Sequence, residues 1–109
     1  MLNASLDAKV NGSVTFTFTV INDGDSPVDL QFRSGQLIDV VVYDDDGAEL
    51  WRWGATRMFT QALQSHTLDP GDELTQEVTW DDPSDGTYEA EGTLEAVNQS
   101  ASARTTFTV

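Results

Sequence analysis

Between residues 13 and 20, polar and apolar side chains alternate without a break: Ser13, Thr15, Thr17 and Thr19 against Val14, Phe16, Phe18 and Val20. A period of two, with β-branched and aromatic residues on the apolar parity, predicts a strand that buries one face. The alternation returns at 28–33, where Val28, Leu30 and Phe32 oppose Asp29, Gln31 and Arg33, and at 73–80, where Leu74, Val78 and Trp80 oppose acids and threonines. It returns again at 88–94 (Tyr88, Ala90, Gly92, Leu94) and at 103–109 (Ala103, Thr105, Phe107, Val109), with a weaker edge-strand signal over 3–9. In the apolar run 37–43, Asp39 sets the phase, so Ile38, Val40 and Val42 point inward and Leu37, Val41 and Tyr43 outward. Three outward apolar residues on one strand call for a covering loop or a contact surface.

Turn chemistry separates these runs. Residues 22–27, 44–47, 69–72 and 81–86 are built from Asp, Asn, Gly, Ser and Pro, the residues that favour turns. The Asp44-Asp45-Asp46-Gly47 run is an Asp-Gly hairpin turn into a strand over 48–53. It is not a calcium loop of the EF-hand kind, because Val42 and Trp53 fall where that loop needs its first and twelfth ligands. Seven or eight short strands without a helical period predict an antiparallel β-sandwich of immunoglobulin type, one domain over 1–109. Gly86-Thr87-Tyr88 has the form of the tyrosine corner of such sandwiches, with Ala90 where antibody domains carry a cysteine, so the core holds without an inter-sheet bridge.

One segment departs from this pattern. Residues 47–68 carry two of the three tryptophans, two of the five basic residues and the single histidine, and after Glu49 they are free of acid until Asp69. Trp51 and Trp53 share a parity with Glu49, and the 54–66 stretch that follows is longer than most hairpin connections, so it either covers the sheet or presents side chains. Arg57, Met58, Phe59 and Leu63 are the residue types enriched at protein contacts.

Charge changes the picture of possible partners. Nineteen acids against five bases give a net charge of −14, which excludes the basic footprint of a nucleic-acid-binding protein. Lys9 is the one lysine and the acids are thirteen aspartates and six glutamates spread over turns and strand faces, a composition that resembles proteins of salt-loving organisms, so a halophilic archaeon is the expected source. At molar salt the screening length falls to about 3 Å, which relieves the self-repulsion of such a surface. The fold is therefore expected to tighten from dilute to molar salt. Without cysteine there is no disulfide or thiolate metal site, and no signal peptide or membrane-length apolar run is read, so the chain is expected to be cytoplasmic and away from membranes.

Catalytic chemistry finds no constellation. A nucleophilic triad needs a histidine placed between nucleophile and acid, and His66, with Ser65 and Thr67 beside it, reads as a solvated loop residue. One histidine among scattered carboxylates is no zinc site. No enzyme activity, cofactor or metal is expected.

Several motifs in order resemble the intracellular proteinase inhibitor family, BsuPI: Phe32-Arg33-Ser34-Gly35-Gln36-Leu37-Ile38-Asp39, Trp51-Arg52-Trp53, Phe59-Thr60-Gln61, Leu68-Asp69-Pro70-Gly71, Trp80, and Gly86-Thr87-Tyr88. The resemblance covers nearly the whole chain, and its order and spacing are more specific than any one motif. It implies a β-sandwich without catalysis that inhibits an intracellular subtilisin-like serine protease. The candidate contact residues are then Arg57, Met58, Phe59, Gln61 and Leu63, supported by Trp51, Trp53 and Tyr43, in a monomeric protein. A substrate-like inhibitor inserts a rigid extended loop into the cleft, with Met58 or Phe59 leading; alternatively Phe59 pins the loop to the face of Leu37, Val41 and Tyr43. The rival reading is a non-inhibitory, immunoglobulin-like interaction or cell-surface module. Three Asn-X-Ser sequons, at Asn3, Asn11 and Asn98, would be glycan acceptors if the domain were exported.

Overall fold

The computed structural model describes residues 2–109, apart from the side chain of Thr56. Nine strands are present among the described residues: β1 Leu2–Asn11, β2 Ser13–Asn22, β3 Val28–Phe32, β4 Ile38–Tyr43, β5 Glu49–Arg52, β6 Gln64–Leu68, β7 Glu73–Trp80, β8 Thr87–Leu94 and β9 Ser102–Thr108. One 3-10 turn, Trp53–Thr56, follows β5. The sheets are β1-β2-β7, β5-β4-β8-β9 and the pair β3-β6, all antiparallel. They form an antiparallel immunoglobulin-like sandwich.

The alternating segments bury the parity that their sequence predicts. Val14, Phe16, Phe18 and Val20 of β2 are fully buried against Ile38, Val40 and Val42 of β4 and Ala90 and Leu94 of β8 in one core. Burying a side chain of this size contributes about 1.5–3 kcal/mol, so the three central strands supply most of the adhesion between layers. Gly92 belongs to the same face: a Cβ there would sit 2.5 Å from the Phe18 ring, so the glycine makes room for the phenylalanine.

In place of a disulfide, an aromatic cluster joins the layers. Trp51 stacks on Phe16 and on Trp80 with centroids 6.2 and 6.1 Å apart, Trp80 meets Tyr88 edge-on at 5.2 Å, and Phe107 closes the group against Phe16 at 5.4 Å. The Tyr88 hydroxyl donates to the Ser84 carbonyl at 2.6 Å, the tyrosine corner that the sequence predicts.

Asn22, placed by its sequence at the start of a turn, is fully buried. Its Nδ2 donates to the carbonyls of Ser26 and Leu68 at 2.8 and 2.9 Å, and its Oδ1 accepts from the Gly24 amide at 3.0 Å. It pins the joint where the β2/β7 ladder gives way to the β3/β6 ladder.

Four expectations are corrected. β6 begins at Gln64, so the long loop ends at 63 rather than 66, and His66 stands on a strand with its ring 5.6 Å from that of Phe32. A strand of the form Gln-Ser-His-Thr-Leu carries only weak alternation and is held by pairing with β3, which is why the sequence hid it. Second, a register shift between Val42 and Tyr43 breaks the parity of β5. Trp51 pairs with Val42 and faces inward, whereas Glu49 pairs with Tyr43 and joins Arg52 on the outer face in an ion pair at 2.9 Å. Third, Asp39 and Val41, on the outward parity of β4, are both buried. Val41 lies between Arg52 and Glu91 in one cross-strand row, and the 3-10 turn folds back onto Asp39, so side chains and a single turn cover this face rather than the long loop. Last, Phe59 does not sit on Tyr43; its ring meets Trp53.

Candidate functional site

Strand directions sort the connections into two ends. β4 starts and β8 finishes side by side, Ile38 opposite Leu94, so the segments 33–37, 53–63 and 95–101 gather at one end. Backbone hydrogen bonds tie them together: Gly35 N to Thr60 O at 2.9 Å, Glu95 N to Leu37 O at 2.9 Å, and Val97 N to Gln31 O at 2.8 Å.

The 53–63 loop is held at three points. At its root, the buried Asp39 carboxylate accepts from the Gly54 amide at 2.8 Å and the Val40 amide at 2.9 Å through Oδ1, and Oδ2 accepts from Arg52 Nη1 at 3.2 Å. Gly54 fits there closely, since a Cβ would lie 3.1 Å from both carboxylate oxygens and would displace the Gln36 side-chain amide. Hydrogen bonds from Glu49 and then Asp39 raise the Arg52 guanidinium pKa above its ordinary value, so the cation is permanent. In mid-loop, Phe59 packs edge-to-face on the buried Trp53, centroids 5.4 Å apart, and the Arg57 guanidinium lies over the Trp53 ring, 5.6 Å from its centroid. Beyond it, the Gly35 to Thr60 bond fixes the descending limb.

Between those anchors the side chains are exposed. Met58 is 99% exposed and Leu63 81% exposed, and Arg57, Thr60, Gln61 and Ala62 are exposed as well. The structure thus brings Trp53, Arg57 and Phe59 into one cluster with Met58 projecting from it. Leu63 stands apart, lining an open groove of about 260 Å³ with Phe32, Arg33 and Val97. Trp51 lies in the inter-layer aromatic cluster, and Tyr43 lies at the far end of β4, its ring 5.9 Å beneath Arg104.

Four residues at this end escape a reading of the sequence. Asp39 serves only to set a strand's phase there, although an acid inside an apolar run is the available signal. Arg33 and Val97 look like ordinary strand and loop positions, and they meet only because segment 97–98 runs along β3. Glu95, although exposed, has its carboxyl pKa pushed up by partial desolvation and by the nearby Asp39 carboxylate, with Arg52 acting in the opposite direction.

At the opposite end, Asp44, Asp45 and Asp46 bring carboxylate oxygens within 4.8 Å of one another, the one grouping among the described residues with the donors to hold a cation. Asp44 Oδ1 already accepts the Asp46 and Ala48 amides at 2.9 Å each, so this residue holds the hairpin turn.

Among the described residues no helix is long and apolar enough to cross a membrane. In shape the chain is similar to the CARDB domain of a Pyrococcus furiosus protein solved in complex with di-metal ions, with a TM-score of 0.56 and 19% identity over 100% of this chain and 87% of that one. It is also similar to a β-glucosidase from Kluyveromyces marxianus, with a TM-score of 0.56 and 12% identity over 100% of this chain and 14% of that one. Both likenesses speak to the fold alone. No curated protein matches it in sequence. The family model described as intracellular proteinase inhibitor, BsuPI, matches residues 2–99, and that family is one of inhibitors rather than enzymes. With the motifs, the sandwich and the match agreeing over nearly its full length, the chain belongs to the BsuPI family of intracellular proteinase inhibitors.

Proposed function

We propose that the chain works as a single domain over 1–109 that inhibits an intracellular subtilisin-like serine protease, binding as a cytoplasmic monomer through the 53–63 loop. The observation that carries this reading is the contrast within the loop: Met58 is 99% exposed while Phe59, Thr60 and Trp53, one, two and five residues away, are tied to the framework. A loop ordered before binding loses less conformational freedom on docking, and this favours affinity. Met58 leads into the cleft, Arg57, Gln61 and Leu63 touch its walls, and Phe59 acts as the anchor with Trp53.

Titration of a purified intracellular subtilisin-like serine protease with the chain tests the reading. Met58→Ala is expected to weaken inhibition while the melting temperature stays at the wild-type value. Unchanged inhibition by a folded Met58→Ala, Leu63→Ala double variant would refute it. The rival reading, a non-inhibitory cell-surface module, draws support from the exposure of the sequon residues Asn3 and Asn11. Asn98 is different, because its amide bridges Asp29 O and the Gln31 amide. Glycan found by mass spectrometry on Asn3 and Asn11 of native protein would favour the rival.

A further inference from the structure

The placement of the five cations points to the chemistry of the partner. Two of them serve the framework: Arg52 pairs with Asp39 and Glu49, and Arg104 pairs with Glu89 at 2.6 Å and Glu91 at 3.1 Å. Lys9, also outside any ion pair among the described residues, lies on β1 beside the β1/β2 turn, at the end of the β1/β2 ladder that Val14 shares with Trp80 and away from the 53–63 loop. The remaining two, Arg33 and Arg57, are exposed and stand in no ion pair among the described residues, in a chain that carries nineteen carboxylates. Both belong to the end that carries the most exposed apolar side chains, Met58 and Leu63, with half-exposed Val97 beside Leu63 and Arg33 in one groove. The groove is already formed, because Val97 N donates to Gln31 O while Asn98 Oδ1 accepts the Gln31 amide and its Nδ2 donates to Asp29 O, which fixes 97–98 along β3. Segments 33–37, 53–63 and 95–101 hold a single acid, Glu95, against these two arginines.

We infer that the surface recognised here is an apolar cleft rimmed by carboxylates: Met58 enters it, Leu63 touches its wall, and Arg57 and Arg33 pair with the acids of its rim. The inference rests on the reading of the 53–63 loop as the binding surface and adds the partner's charge to it. Guanidinium groups suit such pairing, since their planar fork matches a carboxylate and they shed water more readily than an ammonium. A net charge of −14 repels an acidic partner at long range, but in molar salt the screening length shrinks to about 3 Å, and only charges in contact still interact. Under those conditions the local pair of arginines decides the preference.

The test uses the full chain in 1 M salt, as an order-of-magnitude match to molar screening, and two synthetic peptides with one apolar centre, flanked by glutamates in one and by lysines in the other. Binding is followed by backbone amide shifts. The glutamate-flanked peptide is expected to bind about fivefold more tightly, as two exposed ion pairs allow, and to shift Arg33, Val97 and residues 57–63. Charge reversal by R33E with R57E should invert the preference and K9E should leave it alone, with K9E keeping the wild-type melt and R33E/R57E remaining folded with a melt lowered only by loss of the Arg57–Trp53 contact. Equal or tighter binding of the lysine-flanked peptide at this end, or no shift at 57–63 with either peptide, overturns the inference. A second arm measures inhibition of a purified intracellular subtilisin-like serine protease. Loss of inhibition in M58A but not in R33E/R57E overturns the charged rim and keeps the inhibitor reading. Peptide preference without inhibition keeps the charged rim and removes the inhibitor reading.

Discussion

The two ends of the sandwich are made by the same strands and differ in almost every other respect. One end, formed by 44–47 and 81–86, carries six aspartates and no base, and its turns are short and closed on themselves, as in the hydrogen bond from Gly47 N to Asp44 O at 3.1 Å. The other end also holds the acidic turns 22–27 and 69–72, but its segments 33–37, 53–63 and 95–101 carry only Arg33, Arg57 and Glu95 as charged residues, expose Met58 and Leu63, and are linked to one another and to a buried carboxylate. A surface selected only for solvation looks like the first. The second has arginines that stand in no ion pair among the described residues, exposed apolar side chains and a buried acid at a loop root, which is why it is the candidate contact surface.

The largest test of that contrast is removal of Asp39. Three donors lose their acceptor, including the Gly54 amide at the loop root. Asp39→Ala is expected to cost about 3 kcal/mol in denaturant unfolding and to abolish inhibition, whereas Asp45→Ala at the other end should stay within about 0.5 kcal/mol of wild type. Equal costs at the two ends would erase the distinction.

Next in size is the effect on binding alone. Met58→Ala should reduce inhibition roughly tenfold or more with an unchanged melt, as truncation of a central apolar contact residue does. Phe59→Ala should instead lower stability by about 3 kcal/mol, because its ring packs on Trp53. If the two variants swap phenotypes, anchor and contact residue have been assigned the wrong way round.

Salt probes the acidic end. Neighbouring like charges repel by about 1 kcal/mol in dilute water at contact range, so replacing Asp44, Asp45 and Asp46 by Asn removes repulsion but also alters the turn that Asp44 holds. Asp45→Asn with Asp46→Asn leaves Asp44 in place and should raise the melting temperature in dilute buffer but not in molar salt. The wild-type melting temperature should itself climb over that range; a flat profile would mean that the acidic surface carries no salt adaptation.

The smallest expected effect belongs to Glu95. Its folded-state pKa is raised, chiefly by partial desolvation and then by Asp39, so the folded protein holds this proton more tightly than the unfolded chain does. Ionising it therefore lowers stability as pH rises past the ordinary value of 4.5. Glu95→Gln should be slightly more stable than wild type at neutral pH, and the difference should vanish below that value. A variant less stable at neutral pH would show that the carboxylate serves the loop end rather than straining it.

Much of the fold was legible because alternation is a local property. In β2, each residue's face follows from its parity, and the buried set Val14, Phe16, Phe18 and Val20 is the set the pattern names. Parity failed where a backbone irregularity intervened. The bulge beside Tyr43 moved Glu49 to the face of Arg52, and nothing in Glu49-Leu50-Trp51-Arg52 announces a bulge. β6 was hidden for a related reason: its residues are polar and nearly neutral, so only the partner strand β3 makes it a strand. At the candidate binding end, the sequence offered the loop and its contact-type residues. The neighbours Arg33 and Val97 come from segments about 30 residues away on either side and met only through the sheet order.

By itself, then, the chain determined its strands, its turns, its lack of a disulfide, its charge and its family, because each depends on residue type and near neighbours. Tertiary structure decided which outward residues were buried and which stretch of 47–68 remained available. Asp39 is a solvent-facing acid by parity and a buried acceptor in the fold, because Arg52 and the Gly54 amide reach it from another strand. The same closure puts Phe59 against Trp53 and leaves Met58 exposed, a division that two adjacent apolar residues could not reveal in sequence.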